Sequence, residues 1–116
     1  MKKIITCIMA CVFLSGCGIG ARTRNIVDVT KPDTVILTKI AGQGAIHSIT
    51  ITGAGNIDGN AEISLILNGT PYKTETLSGR VNFQWGGDWY SDQAEIRYNP
   101  SSVVGGHLRL SYDFGD

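Results

Sequence analysis

The chain has 116 residues, with ten Lys and Arg against ten Asp and Glu, and 42% of its residues are hydrophobic. This length is enough for one compact domain and too short for two. The balanced charge, without a basic cluster, argues against a nucleic-acid-binding protein. The two histidines are far apart in the sequence, which argues against a zinc site.

The first 17 residues have the three parts of a bacterial export signal. Lys2 and Lys3 form a positively charged segment, and the apolar run Ile4–Leu14 follows it. The small residues Ser15 and Gly16 then precede Cys17. The apolar run is shorter than the roughly 20 residues that a transmembrane helix needs. An export signal is therefore a better interpretation than a membrane span.

The segment Leu14-Ser15-Gly16-Cys17 resembles the lipobox of bacterial lipoproteins at all four positions. The resemblance implies that a diacylglycerol is attached to the sulfur of Cys17 and that signal peptidase II cleaves before this residue. Gly18 stands where Asp would retain an enterobacterial lipoprotein in the inner membrane, which favours the outer membrane with the domain facing the periplasm. The alternative is an ordinary secretory signal in which Cys17 is incidental. The resemblance ends at Cys17 and assigns no family to the mature domain.

The chain is thus expected to divide into a signal peptide (1–16), a lipidated Cys with a flexible tether (17–24) and a folded domain (25–116). Within the tether, Arg22 and Arg24 could lie near anionic lipid headgroups. Loss of the two signal-peptide lysines leaves eight basic and ten acidic residues, a formal charge of −2. Cys7 and Cys11 would also be removed, so the domain has to be stable without a disulfide.

From residue 25 onward, apolar and polar residues alternate with the period of two that is typical of β-strands. The segments 25–30 and 34–41 are rich in Val, Ile and Thr, and Pro32-Asp33 separates them. Alternation is seen at 45–52, 61–68, 80–85, 94–98 and 107–114, where the sets predicted to share one face are His47, Ile49 and Ile51; Ala61, Ile63, Leu65 and Leu67; Val81, Phe83 and Trp85; Ala94, Ile96 and Tyr98; and Leu108, Leu110, Tyr112 and Phe114. Asp58-Gly59 and Asn68-Gly69 are typical of hairpin turns, whose central residues need positive φ. Further breaks are predicted at Gly86-Gly87, Asn99-Pro100 and Gly105-Gly106. These patterns predict an all-β domain, a small antiparallel β-sandwich of about eight short strands, with a small β-barrel as the alternative.

The segment 85–92, Trp-Gly-Gly-Asp-Trp-Tyr-Ser-Asp, is the most distinctive part of the domain. Trp85 continues an inward-facing alternation and is expected in the core. If exposed, Trp89 and Tyr90 could stack on a sugar ring or anchor a protein contact. The alternative is that they cap one end of the sandwich, with their polar atoms hydrogen-bonded at the rim.

Two weaker patterns concern carboxylates. Asp88 and Asp92 could serve as the paired acids of a glycan hydrolase, which requires that both carboxyls line one cleft. Residues 56–62 carry oxygen-containing side chains at alternate positions, as calcium loops do, but lack the Glu at the twelfth position of an EF-hand. Neither pattern identifies a catalytic or metal-ligating residue, and no cofactor is expected.

The sequence therefore predicts a non-enzymatic, lipid-anchored binding module of the bacterial envelope. Its possible binding surface comprises Asp88, Trp89, Tyr90 and Asp92. The expected partner is another envelope protein, in the role of an assembly accessory or a receptor-blocking lipoprotein. The second hypothesis is carbohydrate or peptidoglycan binding through Trp89 and Tyr90, and the third is glycan hydrolysis.

Overall fold

The computed structural model describes residues 21–116, so the signal peptide and Cys17 lie outside the described residues. The described chain is an all-β antiparallel structure, which confirms the predicted fold class. Its strands are β1 (Arg22–Asn25), β2 (Asp33–Thr38), β3 (Ser48–Leu67), β4 (Thr70–Asp88) and β5 (Gln93–Gly115). Within residues 21–116, no helix is long and apolar enough to cross a membrane.

All five strands belong to one sheet, in which β3 lies between β4 and β5. The other edge of β5 is paired twice, with β2 along residues 93–98 and with β1 along residues 109–112. Every pairing is antiparallel. The outer edge of β4 pairs with no other strand among the described residues.

The sheet folds over on itself because its three long strands bend. The 19 residues of β4 would span about 60 Å if the strand were straight. Instead Tyr72, near its start, and Trp89, just after its end, have ring centroids only 6.5 Å apart. The result is a sandwich of two layers, to both of which β3, β4 and β5 contribute. The sequence predicts about eight short strands, whereas the structure has five because three of them continue from one layer into the other.

Glycines form the corner where the long strands bend. A Cβ on Gly55 would overlap the carbonyl oxygen of His107, and a Cβ on Gly106 would overlap that of Asn56. Both glycines also have positive φ, +155° and +127°. Glycine at these facing positions therefore permits the close approach and the bend of β3 and β5.

The predicted turns have different outcomes. Asn68-Gly69 is confirmed as the hairpin turn between β3 and β4, with φ of 54° and 82°. Asp58-Gly59 lies inside β3, Asn99-Pro100 and Gly105-Gly106 lie inside β5, and Gly86-Gly87 lies inside β4. These predicted breaks are wrong because a bulge or bend within a strand accepts the same Gly and Pro residues as a turn.

The core lies between the two layers and includes most of the residues predicted to face inward. The prediction is wrong for His47 and Leu67, which are exposed, and for Ile66, which is buried beside a shift in register between Leu65 and Ile66. The buried members of the predicted sets are Ile49, Ile51, Ala61, Ile63, Leu65, Val81, Phe83, Trp85, Ala94, Ile96, Tyr98, Leu108, Leu110, Tyr112 and Phe114. The buried hydroxyl of Tyr98 donates a hydrogen bond to the carbonyl of Val29 at 2.6 Å. Burial raises the pKa of Tyr98, and the charge of Asp28 adds to this effect. The neutral hydroxyl thus fastens the loop between β1 and β2 to the sheet.

The predicted tether and first strand need correction. The strand predicted at 25–30 is instead β1 at Arg22–Asn25, so the domain begins three residues before the predicted boundary. The guanidinium of Arg22 lies 4.8 Å from the ring centroid of Tyr112 and also donates to the carbonyl of Thr38. Arg24 donates to the carbonyl of Ile36 at 3.3 Å. Both arginines therefore bind the edge of β2 and are not part of a free tether.

Candidate functional site

The end of the sandwich opposite the glycine corner carries the loops and strand ends, and we call it the open end. It comprises the start of β1, the loop 39–47, the turn 68–69, the loop 89–92 and the C-terminal Asp116. Hydrogen bonds connect these segments. The Trp89 amide donates to the carbonyl of His47 at 3.1 Å, and the His47 amide donates to the carbonyl of Gly115 at 2.8 Å. The open end is therefore one continuous surface.

A cleft of about 380 Å³, which we call the tyrosine cleft, opens at this end. It is lined by Leu67, Asn68, Tyr72, Asp88, Trp89, Tyr90 and Ser91. Trp89 is only 5% exposed, and its indole Nε1 donates to the carbonyl of Gln93 at 3.0 Å. Trp89 thus caps the core with its polar atom satisfied, as one of the two sequence interpretations predicted.

Two exposed tyrosines border the tyrosine cleft. Tyr90 is 74% exposed and Tyr72 is 51% exposed. The ring of Tyr90 makes an edge contact with His47 at a centroid distance of 6.2 Å. The ammonium of Lys73 lies 5.3 Å from the ring centroid of Tyr72. His47 thus restrains the ring of Tyr90, and Trp89 and Lys73 restrain that of Tyr72. Both tyrosines still expose at least half of their surface.

This arrangement corrects the predicted pair of binding aromatics. Trp89 and Tyr90 do not form a platform of two exposed rings, because alternation into the core buries Trp89. Tyr72 supplies the second exposed ring, which was not predicted from the sequence. Tyr72 precedes Trp89 by 17 residues, and only the bend of β4 brings them together. No local pattern in the sequence signals that contact.

The two carboxylates of the predicted surface are separated. Asp88 lines the tyrosine cleft, whereas Asp92 is not among its lining residues. The carboxylate of Asp92 instead lies 3.4 Å from Nζ of Lys39. The described residues therefore do not form the single cleft with two carboxyls that the hydrolase hypothesis requires.

Two other exposed carboxylates are held by hydrogen bonds, Asp28 within its own loop and Asp116 to the loop 39–47. The side-chain hydroxyl of Thr30 and, next, its amide hold the pKa of Asp28 below the ordinary value of 3.8. The amide of Gly44 donates to Asp116 at 3.0 Å and lowers its pKa in the same way. Their geometry identifies them as loop-fixing groups.

The remaining candidate sites offer less chemistry. Residues 56–62, the possible calcium loop, run through the corner as part of β3. Among residues 21–116, no group of three or more His, Cys, Asp or Glu is placed to hold a metal ion. A wider depression of about 530 Å³ is lined by residues 25–30 and 105–108, which include no Trp, Tyr or Phe. The tyrosine cleft is the site with the side chains that recognition surfaces use.

Comparison with known proteins assigns no family. No protein-family model matches the chain, and no curated protein matches it. Dimeric latent PorU from Porphyromonas gingivalis aligns with a TM-score of 0.49 and 11% identity over 84% of this chain, which spans only 13% of the PorU chain. The coat protein of Tobacco streak virus aligns with a TM-score of 0.42 and 9% identity over 83% of this chain and 85% of that chain. A disulfide-linked pilus of Bacillus endospore appendages aligns with a TM-score of 0.36 and 13% identity over 84% of this chain and 90% of that chain. Similarity this remote identifies no function.

Proposed function

We propose that this protein is a lipid-anchored binding module of the bacterial envelope that acts without catalysis. The lipobox resemblance of Leu14-Ser15-Gly16-Cys17 supports the anchor and the envelope location. The membrane is the outer membrane, with the domain on its periplasmic side. The partner is another envelope protein.

The observation that carries the binding role is the pair of exposed tyrosines on the tyrosine cleft. Tyr72 and Tyr90 present large, partly apolar rings at low cost in side-chain entropy, and Tyr is enriched among the residues that dominate binding energy. Between them lies a concave surface whose floor, Trp89, is fixed by its hydrogen bond to Gln93. A rigid floor with aromatic borders is suited to holding a protruding side chain of a partner.

In vivo photocrosslinking tests the binding role. A photoreactive phenylalanine analogue replaces Tyr90 in the full-length chain and, as a matched control, Val104, which is 79% exposed near the corner. We expect a discrete adduct from position 90 and none from position 104. We also expect Tyr72→Ser to reduce the yield at position 90 severalfold without lowering the melting temperature. Equal labelling from both positions would contradict a binding role for the cleft.

Metabolic labelling tests the anchor separately. Cells given an alkynyl fatty acid should label the wild-type chain and leave Cys17→Ser unlabelled, and the variant should be released from membranes by mild washing. A wild-type protein whose mature N-terminus differs from Cys17 would contradict the lipoprotein assignment.

A glycan ligand is the second candidate, because the tyrosine cleft also contains polar side chains. Asn68, Asp88 and Ser91 lie beside the two tyrosines, and sugar recognition combines ring stacking with such hydrogen-bonding groups. Calorimetric titration with peptidoglycan fragments would show saturable binding that Tyr90→Ser removes. A protein adduct at position 90 without glycan binding would favour the first candidate.

A further inference from the structure

The first described strand begins beside the tyrosine cleft, and a chain of contacts shows this. Arg22 opens β1 and donates to the carbonyl of Thr38. Thr38 is the register partner of Gln93 across the β2–β5 pair. The carbonyl of Gln93 accepts the hydrogen bond of Trp89, which is the floor of the cleft. The point where the N-terminal segment joins the domain is therefore on the same open end as the cleft.

The covalent length of the connection limits how far this end can be from the anchor. Cys17 and Arg22 are five residues apart. At 3.8 Å between consecutive Cα atoms, five residues reach at most about 19 Å in any conformation. A lipid on Cys17 therefore holds the open end close to the bilayer surface. The corner can lie farther from the bilayer. Val104, near the corner, is eight residues along β5 from Tyr112, the register partner of Arg22, and eight residues of a strand span about 25 Å.

The chemistry of the cleft favours a protein over the lipid surface itself. Among the seven residues that line it, Asp88 is the sole charged one. Attraction to anionic headgroups needs clustered Lys and Arg, whereas a carboxylate beside aromatic rings suits a basic side chain. The ammonium of Lys73 already lies near the Tyr72 ring, so the stem of a partner's Lys or Arg would lie against the more exposed Tyr90 while its charged end approaches Asp88.

From the short tether and the acidic aromatic cleft together, we infer that the partner is an integral protein of the same membrane. It presents a loop with a Lys or Arg side chain to the tyrosine cleft, on the open end whose first strand begins within about 20 Å of the lipidated residue. This inference rests on the proposed function. It specifies that the partner envelope protein is embedded in the membrane and is neither a soluble nor a peptidoglycan-bound protein.

The experiment uses the lipidated full-length chain in its host, with the photocrosslinker at position 90 and the control at position 104. The adduct is purified from membranes, and its partner is identified by mass spectrometry. In membranes from cells that carry the chain without the crosslinker, the identified partner should resist alkaline carbonate extraction. Asp88→Asn should lower the crosslink yield at least threefold. Asp88 is exposed at the end of β4, so its replacement should leave the melting temperature unchanged, and this is measured in parallel.

The possible outcomes separate the two proposals. A soluble protein or a glycan captured at position 90 would overturn the inference and leave the binding role intact. A lipid adduct would overturn the inference in favour of contact with the headgroup layer. An undiminished yield with Asp88→Asn would refute the basic-loop chemistry. Absence of any adduct at position 90 would contradict the proposed function as well.

Discussion

Gly53 on β3 tests whether the core is filled in the way the structure shows. Its register partner on β4 is Phe83, and a Cβ built on Gly53 would overlap the Phe83 ring. That ring cannot swing aside freely, because it packs against Trp85 at a centroid distance of 4.7 Å. Gly53 does not have positive φ. The cost of Gly53→Ala would therefore come from steric overlap and not from backbone strain.

The expected magnitude follows from the cost of overpacking a core, about 1–3 kcal/mol. For a domain of this size each kcal/mol lowers the melting temperature by about 4–8 °C, so Gly53→Ala should melt roughly 5–20 °C below the wild type. The matched control is Gly86→Ala on the neighbouring strand, where a Cβ would meet only ordinary contacts at 3.8 Å and 3.9 Å. Because Ala is generally better than Gly inside a strand, this control should be neutral or slightly stabilised.

The assay is thermal and urea unfolding of a soluble form that begins after Cys17. A second variant, Phe83→Leu, tests the mechanism, because a smaller side chain opposite position 53 leaves room for the added methyl group. The double variant should be more stable than the sum of the two single effects predicts, with a coupling of about 1 kcal/mol or more. The proposed packing is wrong if Gly53→Ala has the same melting temperature as Gly86→Ala. It is also wrong if the effects of Gly53→Ala and Phe83→Leu on stability are strictly additive.

Three further predictions concern other parts of the fold. Gly106→Ala should destabilise the domain by more than about 2 kcal/mol in urea unfolding, since its Cβ would meet backbone at positive φ. Tyr98→Phe should cost about 1–2 kcal/mol in the same assay, since it removes the buried hydrogen bond to Val29; an unchanged midpoint would contradict that bond. Asp116→Asn should reduce the loss of stability on acidification. The folded-state pKa of Asp116 lies below the ordinary value of 3.8, so its carboxylate stabilises the fold above pH 3.8. This contribution is lost as the pH falls through the folded-state pKa. Urea midpoints measured from about pH 5 to pH 2 would reveal the change.

The sequence predicts the two faces of the sheet well wherever burial follows the alternation of side chains along a strand. The prediction fails at the end of β3, where the register shifts between Leu65 and Ile66 and burial no longer alternates. The residues predicted to face inward in the segments 81–85, 94–98 and 108–114 are all buried. This information is local and repeats over many residues. It requires no knowledge of how the strands are connected.

The bend of the long strands could not be predicted in the same way. Gly59 and Gly106 provide positive φ and room for a close backbone approach, which hairpin turns and in-strand bends both require. The difference depends on pairing with a neighbouring strand, and this is a contact between residues about 50 positions apart, such as Ile57 with Gly106. The missed site residue, Tyr72, has the same origin, because it reaches Trp89 only through the bend.

The corner and the tyrosine cleft are therefore physically coupled although they lie at opposite ends of the sandwich. Tyr72 and Tyr90 are separated by 18 residues, about 60 Å along a straight strand, and they border one cleft because β4 is folded back at the corner. Substitutions at Gly55 or Gly106 should thus weaken binding by dispersing the cleft, with a parallel loss of folding stability. Substitutions at Tyr90 should weaken the proposed binding alone. This coupling explains why the proposed binding surface cannot be located from any single stretch of the chain.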